Sequence, residues 1–531
     1  MKQDGKSMRK MLNRIVLIAL FLLLTVAPGM TAEFLLFYSN DVHGETEPCG
    51  CKSRQLGGLS RAASQISRFA ELEKLPWLFL DGGGLLFKQS SLPSGQEEQE
   101  RITAAGIAEA MQSMNCRAVG LEAHDLAGGV ELLKKMQKEQ KLTWLSMNLV
   151  DAKKKQLVFN PWLLPETAGL QVAVLGLTGG QMVLDSAPDK TGYTVLPWKE
   201  TLPKALEQVK GKAEMIILLS SYPYEVNKEI AEAYPAVHLL LASGPAAAAT
   251  YPFMVGDTLF AQTGARGKTL GMMRISWTEA EKWEESDLSK IRLEQNRLDQ
   301  ITLQISRLEQ QPEGKSLVKD DIGYQKLLTE KKEAERKIKT LQDKKQPDGE
   351  NFCRFSNQFI ALESSLPEDP KVREIMMQTK QKVNNLNQER SATENSAALL
   401  KTLVGWQKCG ECHAEQMAFW QKTRHAQSVR TLEGKNQQFN QDCLVCHVTL
   451  PTRDLATVKA DKLLDHLPDQ LKNVGCENCH GPAAGHAASP AQVSVPMPKP
   501  DEQTCKSCHT PEHDDHFVFA DKAAKIRCPK R

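Results

Sequence analysis

The chain has 531 residues, 41% hydrophobic and 25% charged, with a formal net charge of +2. That length is too great for one hydrophobic core, and the near-balanced charge excludes the strongly basic footprint of a nucleic-acid binder. The composition is ordinary, and it includes thirteen cysteines.

At the N-terminus, Lys2, Lys6, Arg9, Lys10 and Arg14 precede an apolar run from Ile15 to Val26, followed by Pro28, Gly29, Thr31 and Ala32. A basic stretch, a short apolar run and small residues compose a secretory signal. The run is shorter than the ~20 residues of a membrane span. Residues 1–32 are therefore expected to be a signal that exports the chain to the periplasm or cell surface. Met30 suits cleavage after Ala32 poorly, which leaves open an uncleaved anchor and membrane association through the N-terminus.

Residues 33–280 read as an α/β domain. Phe34–Tyr38, Trp77–Leu80, Val172–Leu175 and Met215–Leu219 are short apolar runs of the kind buried in parallel sheets, with charged helical stretches such as Glu131–Lys141 between them. The first run is followed by Tyr38-Ser-Asn40-Asp41-Val-His43-Gly44. Later come Leu56-Gly57-Gly58-Leu59-Ser-Arg61, Leu80-Asp81-Gly82-Gly83-Gly84, Gly120-Leu-Glu-Ala-His124-Asp125 and Gly264-Ala-Arg266-Gly267-Lys268-Thr-Leu270-Gly271.

In order and spacing these motifs resemble the catalytic domain of secreted 5′-nucleotidases, which implies a calcineurin-like α/β sandwich. The departures are as informative as the matches. Where that family has a bridging Asp, Gly84 stands. Ala123 replaces the Asn before His124, Ser220-Ser221 stand in place of a His, and Ser243-Gly-Pro-Ala replaces a Gly-His-x-His pair. Gly, Ala and Ser cannot clamp two divalent ions, so two-metal hydrolysis is not expected.

Glu47-Pro48-Cys49-Gly50-Cys51 inserts two thiols just after His43. A disulfide across one intervening residue would be strained and readily reduced, and two buried thiols are the plainer alternative. The sharper expectation is a rebuilt site in which Asp41, His43, Cys49, Cys51 and His124 surround an additional, softer metal or form a redox dithiol.

Over 285–347 apolar residues recur in heptads. Ile291, Leu298 and Ile305, with Ile301 and Leu308, form one seam. Tyr324, Leu327, Ala334, Ile338 and Leu341 resume it beyond Pro312-Glu-Gly314, with Lys331 on the second seam. This predicts an antiparallel coiled-coil hairpin, a spacer or a homo-oligomer contact, against the alternative of a solvated charged linker. Residues 348–400 are polar and read as a partly helical linker.

The segment 401–531 carries four Cys-x-x-Cys-His motifs. The first is Cys409, Cys412 and His413, and the second is Cys443, Cys446 and His447. The third is Cys476, Cys479 and His480, and the fourth is Cys505, Cys508 and His509. Two thiols at this spacing reach the two vinyl groups of one porphyrin, and the adjacent His faces the iron. Zinc ribbons or redox dithiols would account for the cysteine pairs but not for a His after each. Four covalent haem c groups are expected in a mostly α domain poor in large apolar residues. Five further histidines, His425, His466, His486, His513 and His516, are candidates for the distal axial positions. Met417 and Met497 read as packing residues.

The stretches from Cys409 through Phe419-Trp420-Gln-Lys-Thr-Arg-His425 and from Gly475 through Cys479-His480-Gly-Pro-Ala-Ala-Gly-His486 resemble the tetrahaem cytochrome c-554 family, as does Cys508-His509-Thr-Pro. The resemblance implies electron transfer between redox partner proteins, with His425 and His486 as distal ligands. Two alternatives stay beside it: a haem-based reductase of a small nitrogen or sulfur oxyanion, and a surviving metal-dependent nucleotide phosphohydrolase.

Overall fold

The computed structural model describes residues 31–47, 55–93, 95–244, 249–284, 322–343, 352–391, 401–450, 467–510, 513–514 and 517–529, with scattered positions between 291 and 305. The signal segment 1–30, Cys49, Cys51, His466 and His516 lie outside the described residues.

Strands occur in chain order as β1 (Ala32–Ser39), β2 (Trp77–Asp81), β3 (Cys116–Val119), β4 (Leu149–Asp151), β5 (Trp162–Leu163), β6 (Glu166–Thr167), β7 (Leu170–Leu177), β8 (Tyr193–Val195), β9 (Met215–Ser220), β10 (Leu239–Ala242), β11 (Thr250–Val255), β12 (Thr258–Gln262), β13 (Thr269–Trp277) and β14 (Arg354–Ala361). One sheet runs β14-β13-β1-β2-β3, and a second runs β11-β12-β10-β9-β7-β5. Strands β1, β2 and β3 are parallel, as are β7, β9, β10 and β12 along the second sheet. Phe34–Tyr38 and Met215–Leu219 are almost wholly buried, as their unbroken apolar runs predict for strands covered on both faces. The register pairs Ser39 with Asp81 and Asp81 with Val119, so three strands end at one level. The loops Asn40–Gly44, Gly82–Phe87 and Gly120–Leu126 leave from that edge, the place where open α/β sheets build their sites.

The chain divides into two compact units, the first made of residues 274–356 with the chain up to Phe34 and 168–170, the second of the remainder. In the first unit, helix Ile322–Asp343 buries Tyr324, Ala334 and Ile338, and Tyr324 packs with Ile301 and Ile305. Lys337 reaches Glu294 at 3.3 Å. Trp283 packs edge-on against Trp277 and Phe355. The Pro312–Gly314 break lies outside the described residues.

The stretch read from sequence as a linker carries regular structure, divided between the two units at Ser356. Arg354–Ala361 is strand β14, and Pro370–Ser391 is a helix packed on helix Glu97–Ser113. That contact is close enough to require a glycine: a Cβ on Gly106 would stand 2.1 Å from Thr379 Oγ1. The difference has a physical reason. The buried stripe of the second helix mixes Val372, Ile375, Met376 and Val383 with Thr379, Asn384 and Asn387, so its polar residues mask the apolar period.

The segment from 401 is built of short helices. Each cysteine motif lies on one: Gly405–Gly410, Gln441–His447, Cys476–His480 and Glu502–Lys506, the last residues of the first and fourth motifs falling just beyond theirs. Its apolar core is small, centred on Leu403, Val429, Leu432, Leu444, Val448 and Leu471.

Candidate functional sites

In the cysteine-rich segment, Cys443 packs against that small core. Cys412 is exposed, because it lies just past the end of its short helix. Cys409, Cys443, Cys446, Cys476, Cys479, Cys505 and Cys508 are half-buried. None of the eight is in a disulfide, so Cys412 and Cys446, like their motif partners, keep the thiol that a thioether bond to a porphyrin vinyl group consumes.

Helix ends and buried polar groups position the histidines. Glu477, within the third motif, is buried and accepts hydrogen bonds from the backbone N–H groups of Val404, Gly405 and Ala483 at 2.8–3.1 Å. It ties the third motif to the start of the first motif's helix. The thiols of Cys409 and Cys476 are hydrogen-bonded to each other, so these two motifs adjoin. Trp420 Nε1 donates to the Val474 carbonyl, and Trp406 packs on Trp420. Met417 packs against Gly410, where a Cβ would meet its Sδ at 1.9 Å. Met497 Sδ accepts from Thr504 Oγ1.

The imidazoles are oriented by their Nδ1 atoms. His447 Nδ1 donates to the Ser428 carbonyl at 2.7 Å, His480 Nδ1 to Met497 O at 2.9 Å, and His486 Nδ1 to Val493 O at 2.6 Å. His509 Nδ1 stands 2.9 Å from the Asp514 carboxylate. A ring whose Nδ1–H is engaged this way presents a bare Nε2 as a metal ligand, the arrangement that fixes tautomer and orientation in metal sites. His513 Nδ1 lies 2.9 Å from Thr510 Oγ1.

Two motif histidines face candidate distal partners. His413 and His486 have ring centroids 6.3 Å apart, and His509 and His425 are 6.2 Å apart. An imidazole nitrogen binds a metal at about 2 Å, with its ring centre roughly 1 Å farther out, so two rings on opposite sides of one ion have centroids about 6 Å apart. Both pairs have the spacing that one iron between them requires, and the residues present therefore fit haem. His425 is held below its ordinary pKa by burial, then by the nearby His509 and His447, which keeps it in the neutral, ligating form.

At the carboxyl edge of the first sheet the chain is laced loop to loop. Asp41 N bonds to Gly83 O, and His43 N to Gly84 O, both at 2.8 Å. Asp41 and His43 both adopt φ of +51°, a left-handed conformation uncommon outside glycine, which turns their side chains into the cleft. The fully buried Asp41 carboxylate is already occupied: it accepts from Asn40 Nδ2 at 2.7 Å and from Gly244 N at 2.9 and 3.0 Å. It also fills the place that an acid at position 84 would need, because a Cβ on Gly84 would stand 2.6 Å from Asp41 Oδ1. Asp125 is buried and caps the loop through the N–H groups of Gly84, Leu85, Leu86 and Glu122; burial pushes its pKa up to about 7. Ser221 donates to Leu121 O and Ser220 to Asn227 Oδ1, so both are engaged structurally.

Of the residues expected to form a rebuilt site, the fold brings His43 and His124 together as stacked rings, centroids 4.0 Å apart, and sets Asp41 Oδ1 3.5 Å from His43 Nε2. It adds a residue that the sequence reading missed. Glu122 Oε2 lies 2.7 Å from His124 Nδ1 and also accepts from His124 N. Burial acts against charge here, but the hydrogen bond prevails and holds His124 above and Glu122 below their ordinary pKa values. Its signal in the sequence was an acid two residues before His124 in a Gly-led loop.

Residues 408–481 match the sequence family described as cytochrome c554 and c-prime. The cytochrome c-554 of Nitrosomonas europaea is 30% identical over 93 residues, 15% of this chain and 37% of that protein, so the match spans little more than a third of its length. The match implies covalently bound haem c in the segment it covers. Among solved structures, a 5′-nucleotidase precursor from Thermus thermophilus is similar with a TM-score of 0.46 and 16% identity, over 72% of this chain and 68% of that one. A calcineurin-like phosphoesterase from Bacillus subtilis is similar with a TM-score of 0.44 and 14% identity, over 67% and 98%.

Proposed function

We propose that this chain is an exported c-type cytochrome that carries electrons between redox partner proteins through four covalently bound haem c groups on residues 401–531. The observation that carries the reading is the pair of facing imidazoles, His413 with His486 and His509 with His425, each at the spacing of two axial ligands. Bound haem c supplies a one-electron iron couple. The chain's own residues do the rest. Cys409 with Cys412, Cys443 with Cys446, Cys476 with Cys479 and Cys505 with Cys508 would hold the four groups. His413, His447, His480 and His509 would bind their irons, and His425 and His486 would complete the ligation of two. His466, His513 and His516 are the candidates for the other two. Carbonyls and Asp514 hold the Nδ1 protons and keep the ring nitrogens aimed.

The N-terminal segment 1–32 supports export to the periplasm or cell surface, and the heptads of 285–347 support a coiled-coil hairpin. The α/β domain is proposed to lack phosphohydrolase activity, because Asp41 is taken up by protein donors and fills the space beside Gly84. The test is haem counting and spin state on protein made with c-type maturation machinery, beside a nucleotide hydrolysis assay with added Mn²⁺ or Zn²⁺. The reading expects low-spin haem that exchanges electrons with small redox proteins, and hydrolysis at background. A dominant high-spin fraction with oxyanion turnover would replace it with a reductase, and metal-dependent phosphate release would restore a hydrolase.

A further inference from the structure

The cleft of the α/β domain holds a side-chain set with a chemistry of its own. His43 Nε2 is buried and makes no hydrogen bond among the described residues, its polar neighbour Asp41 Oδ1 standing off at 3.5 Å. It belongs to a ring stacked on His124, and the ligating atoms of His43, His124 and Glu122 all lie within 4.8 Å of one another. Leaving a buried ring nitrogen unpaired costs free energy unless something binds it. The scaffold is fixed at each point: His43 by its left-handed backbone and its bond to Gly84 O, Glu122 by capping the helix Ala123–Leu126, and His124 by Glu122. The side chains of His43, His124 and Glu122 are 18%, 23% and 12% exposed, so the set is screened from bulk water without being sealed.

The binuclear arrangement that the motifs suggested is closed off by Asp41 and Gly84, which makes this a different site rather than a remnant. Its donors are two imidazoles and one carboxylate. That set, with coordination positions left over, is one that non-haem iron(II) takes and that catalytic zinc takes as well, so the test has to tell the two apart. We propose that His43, His124 and Glu122 bind one iron(II) ion, independent of the haems, the hydrogen bond between the Glu122 carboxylate and His124 Nδ1 giving way as side-chain rotations draw the three donors onto it. Cys49 and Cys51 are not needed for it.

The test uses the full-length holoprotein, stripped by a chelator and dialysed anaerobically against ⁵⁷Fe²⁺, so that the added isotope is distinguished from haem iron. The expected result is one ⁵⁷Fe per chain, with a Mössbauer signal of high-spin iron(II) in nitrogen and oxygen ligation. Glu122→Gln is expected to weaken binding by roughly 10–100-fold, and His43→Asn with His124→Asn to abolish it. An unchanged Soret spectrum and far-UV circular dichroism would show that these variants fold. Less than a tenth of an equivalent bound, zinc bound in preference to the exclusion of iron, or equal iron binding by the variants would overturn the proposal.

Discussion

At the scale of single residues, the haem-segment histidines divide the labour between two ring nitrogens. The Nδ1 contacts to Ser428, Met497, Val493 and Asp514 fix each ring's orientation and turn Nε2 into the atom available to a metal. His486→Ala and His425→Ala are each expected to turn one haem high-spin and leave the others low-spin, as EPR would read. If neither changes spin state, the pairing is wrong. The motif cysteines and histidines stand out in the sequence because their spacing is the one that porphyrin attachment would require. Glu122 was not, because it has meaning only once the turn after β3 brings it to His124. A different histidine sets a pH limit. His238 is buried and its Nδ1 accepts from Ile216 N, so the ring is neutral, and burial pushes its pKa from 6.5 down to about 4. The unfolded chain takes up the proton first, so this contribution is complete above pH 6.5 and is lost as pH falls towards 4. The shift corresponds to roughly 3 kcal/mol at its limit. His238→Asn keeps an acceptor for Ile216 and should flatten the urea midpoint between about pH 7 and 4.5 relative to wild type. An identical pH dependence in the two proteins would contradict this.

At the scale of elements, apolar runs identified the parallel strands, because a strand covered on both faces needs nothing else. Strand β14 and the helix Pro370–Ser391 escaped that reading. Asn357 is buried in β14, where it accepts from the Tyr38 hydroxyl at 2.8 Å, and Asn384 and Asn387 are buried in the helix. Their partners lie far away in sequence, so a polar residue that looks solvent-facing is satisfied by an element not visible locally. The helix is bound through the close approach at Gly106. Gly106→Val should destabilise the α/β domain by about 1–3 kcal/mol through overpacking against Thr379, read as a lower denaturant midpoint with an unchanged haem spectrum. No change in midpoint would mean that the two helices do not pack as described.

At the scale of the molecule, the second unit joins the α/β domain to the haem segment through polar contacts. Gln99 Oε1 accepts from both Asn387 Nδ2 and Gln441 N, Asn387 Nδ2 also reaches Phe439 O, and Lys88 pairs with Asp442 at 2.5 Å, one residue before Cys443. Gln99→Leu removes an acceptor from two buried donors and should cost about 1–3 kcal/mol, whereas Asp442→Asn, at a half-exposed pair, should cost about 1 kcal/mol or less. Limited proteolysis of the junction would rank the two variants, and the reverse order would contradict the contact scheme. This joining was invisible in the sequence, where the intervening stretch is merely polar. The central claim is the number and ligation of the haems. The most direct test is a pyridine haemochrome assay with EPR on the matured full-length chain. About four haems per chain, with low-spin signals dominant, is the predicted result; a chain without covalent haem would contradict the account at its base.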